Sequence, residues 1–152
     1  MRISTLLLSA LAPFIFALSL GAHCQVPCGI YGDELKFGEL EQHVETIDKA
    51  ATMIRELSAK DSLSALDHQQ LVRWTNNKES HAQKIIDEVA NYFLAQRIKP
   101  DAAHYAEKVE LLHHIVLFSM KAKQSPEADP TEILSDKLAA FKEIYLDHSH
   151  AH

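Results

Sequence analysis

The sequence predicts an all-α protein in which four helices form an antiparallel up-and-down four-helix bundle, preceded by a short segment that holds both cysteines. Apolar residues recur at spacings of three and four through most of the chain, which is the period of a helix that buries one face. No segment of useful length alternates as a strand would. Short connections between helices favour antiparallel neighbours. A length of 152 residues suits one compact domain.

The first two helices are predicted from their apolar stripes and end signals. The first covers about 33–59, with Asp33 as a candidate N-cap. The second begins near Ser64 or Asp67. It ends before Pro100, because the residue that precedes a proline disfavours helical backbone. The residues expected to face the core from these two helices are Leu40, Val44, Ile47, Ala51, Ile54, Leu57, Leu71, Trp74, Ile85, Val89 and Phe93.

The last two helices follow the same pattern. The third covers about 101–123, and a loop at 125–129 separates it from the fourth. We expect Asp129 as the N-cap of the fourth helix and Pro130 as its first residue, and the helix to end near Leu146. The residues expected to face the core from these two helices are Val109, Leu112, Val116, Met120, Ile133, Leu134, Leu138, Phe141 and Tyr145.

The chain is acidic and divides into four parts. Its formal net charge is −6 and no cluster of Lys or Arg is present, which disfavours a nucleic-acid partner. Residues 1–22 are predicted to be a signal peptide that is removed, 23–31 a metal-binding hook, 33–147 the helical bundle and 148–152 a His-rich tail.

The signal peptide is predicted from a positive Arg2, an almost wholly apolar run over 3–20, and the small residues that end at Ala22. Cleavage after Ala22 makes His23 the N-terminus and predicts an exported protein, periplasmic or extracellular, that meets a membrane only before cleavage. One alternative is an uncleaved membrane anchor. Another is a lipoprotein in which Cys24 is acylated, and this would prevent the same thiol from binding a metal.

The two cysteines, Cys24 and Cys28, both lie in the hook. A disulfide is the default expectation for a lone pair in an exported protein, and a structural zinc site normally requires four ligands. The hook offers a different set: the α-amine of His23, the amide nitrogen and thiolate of Cys24, and the thiolate of Cys28. Planar coordination by two nitrogens and two sulfurs suits Ni(II) or Cu(II), with the imidazole of His23 along the axis. Because these donors must lose protons, metal affinity should fall in acid.

The order His-Cys-x-x-Pro-Cys-Gly-x-Tyr over 23–31 strongly resembles the nickel-binding hook of nickel superoxide dismutases, with every fixed position present. Looser similarity extends across the chain, including 73–82, 91–93 and 99–100. The resemblance implies a superoxide dismutase that converts superoxide to dioxygen and hydrogen peroxide by Ni(II)/Ni(III) cycling. It also implies one nickel ion per chain and a homohexamer.

The resemblance assigns roles to five residues. His23, Cys24 and Cys28 are the metal ligands and, with Tyr31, the catalytic residues. Tyr31 stands beside the open face of the metal and admits small anions. Glu39 has the spacing of a carboxylate that orients the axial imidazole, although an ordinary solvated helix residue is the alternative. Such support fixes the tautomer and position of a ligand.

The chain departs from the family pattern at three positions. His81 stands where some members have an arginine that supports the axial histidine; it either hydrogen-bonds in that place or is an ordinary polar residue of the second helix. Leu94 replaces a lysine of some relatives, so any electrostatic guidance of superoxide comes from elsewhere. Gln25 replaces a frequent acidic residue, which is tolerable where only the backbone is used.

Other histidines offer weaker sites. His113 and His114, with Glu110 one turn earlier, suggest a metal site in the core, but no second Glu-x-x-His motif completes it. His43, His68 and His104 are expected to be ordinary polar residues. The tail histidines either capture nickel for the hook or belong to a frayed end; they are His148, His150 and His152.

Two other functions remain open at the level of sequence. One is an exported nickel- or copper-binding protein without catalysis, which uses the same hook and tail. The other is a disulfide-bonded helical interaction module, for which titration would find no free thiols and no bound metal. Neither explains why Pro27, Gly29 and Tyr31 accompany the ligands at these spacings.

Overall fold

The structure, a computed structural model, describes residues 33–147 and is helical throughout. Its α-helices are Glu34–Ser58 (α1), Ala65–Glu88 (α2), Tyr105–Gln124 (α3) and Asp129–Leu146 (α4). A π-helical segment, Val89–Arg97, continues α2. Within 33–147 the chain contains no strand, which confirms the all-α prediction. The predicted signal peptide, hook and tail lie outside the described residues.

The four helices share one core. Helix α1 packs against α2 and α4, and α3 packs against the same two helices, so a four-helix bundle accounts for the contacts. Four aromatic rings fill one end of the core, and all six distances between their centroids fall between 5.0 and 5.7 Å. This aromatic cluster consists of Phe37, Phe93, Phe141 and Tyr145. Offset and edge-on ring pairs of this kind stabilise a core beyond the area that they bury.

The predicted bounds of α1 and α2 are confirmed. Ser64 caps α2 in a capping box, since its hydroxyl accepts from the amide of Asp67 and the Asp67 carboxylate accepts from the amide of Ser64. Ile54, Leu71 and Trp74 were expected in the core but are only partly buried. The first half of α2 has no fully buried residue, and the buried side chains of that helix begin at Lys78.

The predicted start of α3 at residue 101 is wrong. Backbone turns occupy 100–104, and His104 adopts a left-handed conformation with φ 56°, after which α3 begins. The inward position of Met120 is also wrong, since that side chain is 39% exposed. The buried stripe of α3 contains two polar members, which hid it from a search for apolar spacing. It consists of Lys108, Leu112, Ile115, Ser119 and Ala122.

Helix α4 begins one residue earlier than expected. Ala128 is its N-cap, so Asp129 is its first residue and Pro130 its second. Its expected core residues are buried except Ile133, which is partly buried. Over the described part of the chain, none of the helices combines the length and apolar character needed to cross a membrane.

Candidate metal centre

Some of the predicted site residues lie within residues 33–147, which the structure describes, and others lie outside them. His23, Cys24, Cys28 and Tyr31 lie outside the described residues. Glu39 lies on α1, where its side chain is 59% exposed and its Oε2 accepts from Lys36 Nζ at 3.2 Å. His81 lies on α2 and is partly buried.

His81 faces a second histidine, His43 of α1. Their Nδ1 atoms are 3.1 Å apart and their rings meet edge-on, with centroids 4.8 Å apart. Because this hydrogen bond joins two Nδ1 atoms, one ring must carry its proton there and the other must carry its own on Nε2. The pair therefore presents one Nε2–H donor and one Nε2 lone pair. Sequence analysis assigned His43 no role, because nothing local marks two histidines 38 residues apart as partners.

His43 borders a surface cavity of about 210 Å³ that Glu39 also lines. His43 follows Glu39 by four residues, which places the two side chains on one face of α1. Burial, His81 and Lys84 lower the pKa of His43, while Glu39 opposes them. Burial and Lys84 also lower the pKa of His81. Both rings therefore favour the neutral state, in which a nitrogen lone pair is available.

Lys36 joins this cavity to a second polar cluster. Its Nζ lies 3.2 Å from Glu39 and 3.1 Å from Glu88, and 5.5 Å from the centroid of the Tyr92 ring. Burial alone would lower the pKa of Lys36, but hydrogen bonds to both carboxylates outweigh burial and raise it. The cation thus stays charged while its side chain is only 14% exposed.

The second cluster surrounds Asp33, and we call Asp33, Tyr92, Arg97 and Tyr145 the Asp33 cluster. Tyr92 donates to Oδ1 of the aspartate. Oδ2 accepts from the Tyr145 hydroxyl at 2.5 Å and from Arg97 at 2.5 Å (Nη2) and 3.1 Å (Nε). Arg97 Nε also lies 2.9 Å from the Tyr145 oxygen. The Asp33 side chain is only 6% exposed.

Burial alone would raise the pKa of Asp33, but the hydrogen bonds from Tyr145, Tyr92 and Arg97 outweigh burial and lower it. Burial and the neighbouring carboxylate raise the pKa of Tyr145. Desolvation would lower the pKa of Arg97, but its bonds to Tyr145 and Asp33 raise it. The aspartate and arginine are therefore ionised and the phenol is neutral across the physiological range.

The π-helical segment supplies two members of this cluster. Its last bond runs from Ile98 N to Phe93 O at 2.9 Å, five residues back, and Ile98 is already extended ahead of Lys99 and Pro100. Wider turns of this kind are rare and often occur at functional sites. Sequence analysis treated Asp33 only as a helix cap. Its partners are 59, 64 and 112 residues away, so no local pattern reveals them.

Residues 33–147 contain no group of three or more His, Cys, Asp or Glu side chains arranged to hold a metal. The ring centroids of His113 and His114 are 6.0 Å apart, and within the described residues no further ligand completes a metal site with them. Both thiols of the chain belong to the hook. The predicted hook combines two thiols with the imidazole of His23, and nitrogen and sulfur donors together suit nickel.

Comparison with known proteins identifies one family. The family model described as nickel-containing superoxide dismutase matches residues 19–149, which include the hook and all four helices. No curated protein matches the chain. No solved structure matches it either.

Proposed function

Because the chain belongs to the nickel-containing superoxide dismutase family, we propose that it converts superoxide to dioxygen and hydrogen peroxide at a nickel ion held by its N-terminal hook. Its enzyme class is oxidoreductase and its cofactor is nickel. The observation that carries the proposal is the extent of the match. It begins at residue 19 and so spans every residue of the hook.

The proposed ligands are the amine and imidazole of His23, the amide nitrogen and thiolate of Cys24, and the thiolate of Cys28. When bound by these residues, nickel would supply the one-electron Ni(II)/Ni(III) couple that superoxide disproportionation requires. The two thiolates and the deprotonated amide donate electron density strongly, and so they favour the higher oxidation state. Tyr31 limits access, which protects the thiolates from oxidation by the peroxide product.

Glu39 and His81 are proposed to hold the axial imidazole of His23. Three observations support this: Glu39 is accessible, it lines one cavity with His43, and His43 is hydrogen-bonded to His81. A carboxylate is one of the groups that usually accept from the second nitrogen of a ligating histidine, and the free nitrogen of a neutral imidazole can accept in the same way. His43 joins the proposed set because its Nδ1 and that of His81 share one proton, which ties the tautomers of the two rings together.

We further propose the antiparallel up-and-down arrangement. The Asp33 cluster supports it, because the start of α1 meets the end of the α2 continuation at Arg97 and the end of α4 at Tyr145. Because α1 begins at the end of the bundle where the α2 continuation and α4 finish, α1 runs in the opposite direction to both. The helices are also joined by short connections, as antiparallel neighbours allow.

Export and a homohexamer complete the proposal. The sequence of 1–22 supports export, since cleavage after Ala22 frees the amine of His23. Two separate apolar side chains on the first half of α2 support association, because Leu66 and Val72 are each 62% exposed. Apolar surface of this kind is often covered in an oligomer.

The proposed function is tested with a chain that begins at His23, and with Cys24→Ser and Cys28→Ser variants of it. The parent should bind one nickel ion, show the electron paramagnetic resonance (EPR) signal of oxidised nickel and consume superoxide. Each variant should lose all three properties, and Ser125→Ala in the distant loop should keep them. A parent that binds nickel without dismutase activity above that of free nickel would favour a metal-binding protein instead. Thiols that cannot be titrated, with no metal, would favour a disulfide-bonded module.

A further inference from the structure

We propose that the Asp33 cluster is a positioning device for the metal centre: it fixes the point at which the chain leaves the hook and enters the helical body. The inference rests on the proposed function, because it takes Cys28 as the last ligand. Asp33 follows Cys28 by five residues. Their Cα atoms are therefore at most about 18 Å apart, so the position of Asp33 limits where the ligand can lie.

The carboxylate of Asp33 is held in one orientation. Tyr92 occupies Oδ1, while Arg97 and Tyr145 occupy Oδ2, so donors from the π-helical segment and from α4 converge on the residue that immediately precedes α1. Charge-assisted bonds such as that from Arg97 are the strongest of this type. A side chain held from two separate elements leaves its own backbone little freedom.

The start of α1 does not need this arrangement. An aspartate at a helix start normally accepts from the backbone amides of the first turn, but the Asp33 side chain makes no such bond. The amides of Lys36 and Phe37 bond instead to its backbone carbonyl, at 3.0 and 3.2 Å. Removal of a carboxylate and a guanidinium from water is also costly, so a buried ion pair is weak evidence for a role in stability. The cluster is therefore better explained as a means of fixing the position of Asp33 than as a helix cap.

The residues around the Asp33 cluster are closely packed. Tyr145 belongs to the aromatic cluster, and the Tyr92 ring meets Phe93 edge-on at 5.2 Å. Phe37, one turn after Asp33, is fully buried in the same core. The Asp33 cluster therefore anchors to the packed core the residue at which the described chain begins, two positions after the predicted hook ends. Metal sites depend on support of this kind, and loss of an outer partner typically weakens metal binding by about 10–100-fold.

The test uses the chain that begins at His23, with two variants of the cluster and one control. Asp33→Asn removes the charge, and Tyr145→Phe removes one donor while the Asp33–Arg97 pair remains. Arg55→Met is the control, because Arg55 is partly buried and donates to the Pro126 carbonyl and, at 3.0 Å, to Thr52 Oγ1. It loses a tertiary hydrogen bond as the cluster variants do, yet it lies 22 residues from Asp33, about 33 Å along α1.

Three quantities are measured for each protein: nickel affinity by chelator competition, the EPR spectrum of oxidised nickel, and the midpoint of thermal unfolding without metal. Asp33→Asn should bind nickel about 10–100-fold more weakly and change the EPR spectrum, and Tyr145→Phe should do the same to a smaller extent. Arg55→Met should lower the unfolding midpoint and leave the spectrum and the affinity unchanged.

Each remaining outcome has one meaning. If Asp33→Asn is less stable but keeps the spectrum and affinity of the parent, the cluster only stabilises the fold and the inference is wrong, while the proposed function stands. If Asp33→Asn does not fold, Tyr145→Phe decides by the same criterion. If the parent shows no nickel signal at all, the proposed function fails first.

Discussion

Replacement of Phe37 by alanine tests whether the aromatic cluster holds the start of α1 in place. Phe37 is fully buried, and its ring centroid lies 5.3, 5.7 and 5.6 Å from those of Phe93, Phe141 and Tyr145. A buried Phe→Ala change typically costs about 3–5 kcal/mol. Three ring contacts place Phe37 in the upper half of that range, so we expect a loss of about 4–5 kcal/mol in the free energy of unfolding.

For a helical body of this size, such a loss corresponds to a fall of about 12–25 °C in the unfolding midpoint. The assay is thermal and urea unfolding followed by circular dichroism, without metal and at fixed protein concentration, because bound nickel adds stability by mass action. Leu35→Ala is the matched control: it is two residues away on α1 and 60% exposed, so it should change stability by less than about 0.5 kcal/mol. A loss below about 1 kcal/mol for Phe37→Ala would refute the proposed role of the cluster.

Three further changes have defined outcomes. Asp33→Asn should weaken the dependence of the free energy of unfolding on pH in acid. The folded pKa of Asp33 is lowered, so the stability that it contributes is complete above its ordinary pKa of 3.8 and is lost as the pH falls. An equal pH dependence in the parent and the variant would contradict this. His81→Ala should raise the pKa of His43 in an NMR titration without metal, because removal of the ring exposes His43 to water and abolishes the electrostatic effect of His81. An unchanged pKa would oppose this. Leu66→Lys should reduce the mass of the oligomer in light scattering, and an unchanged mass would exclude this face of α2.

Local signals were sufficient for most of the fold. The expected start of the second helix near Ser64 or Asp67, the proline at 100 and the apolar stripes of α1 and α4 agree with where those helices lie. The start of α3 was missed because it depends on the left-handed backbone of His104, which no apolar spacing reveals. The buried face of α3 was misplaced because Lys108 and Ser119 belong to it.

The surroundings of the site were harder to predict for a different reason. The ligands of the hook are neighbours in sequence, so their spacing carries the chemistry. Asp33 and His43 acquire their roles from partners that are distant in sequence, and each had a plausible local role as a cap or a surface residue. Only the packing of α1 against α2 and α4 brings these partners together.

Native mass spectrometry of the protein after export from a cell that expresses the full chain tests the nickel site most directly. One spectrum reports where the mature chain begins and how many nickel ions it holds. We predict a chain that begins at His23 with one nickel ion per chain. A chain that begins at any other residue, yet holds one nickel ion and is fully active, would contradict coordination by the amine of His23.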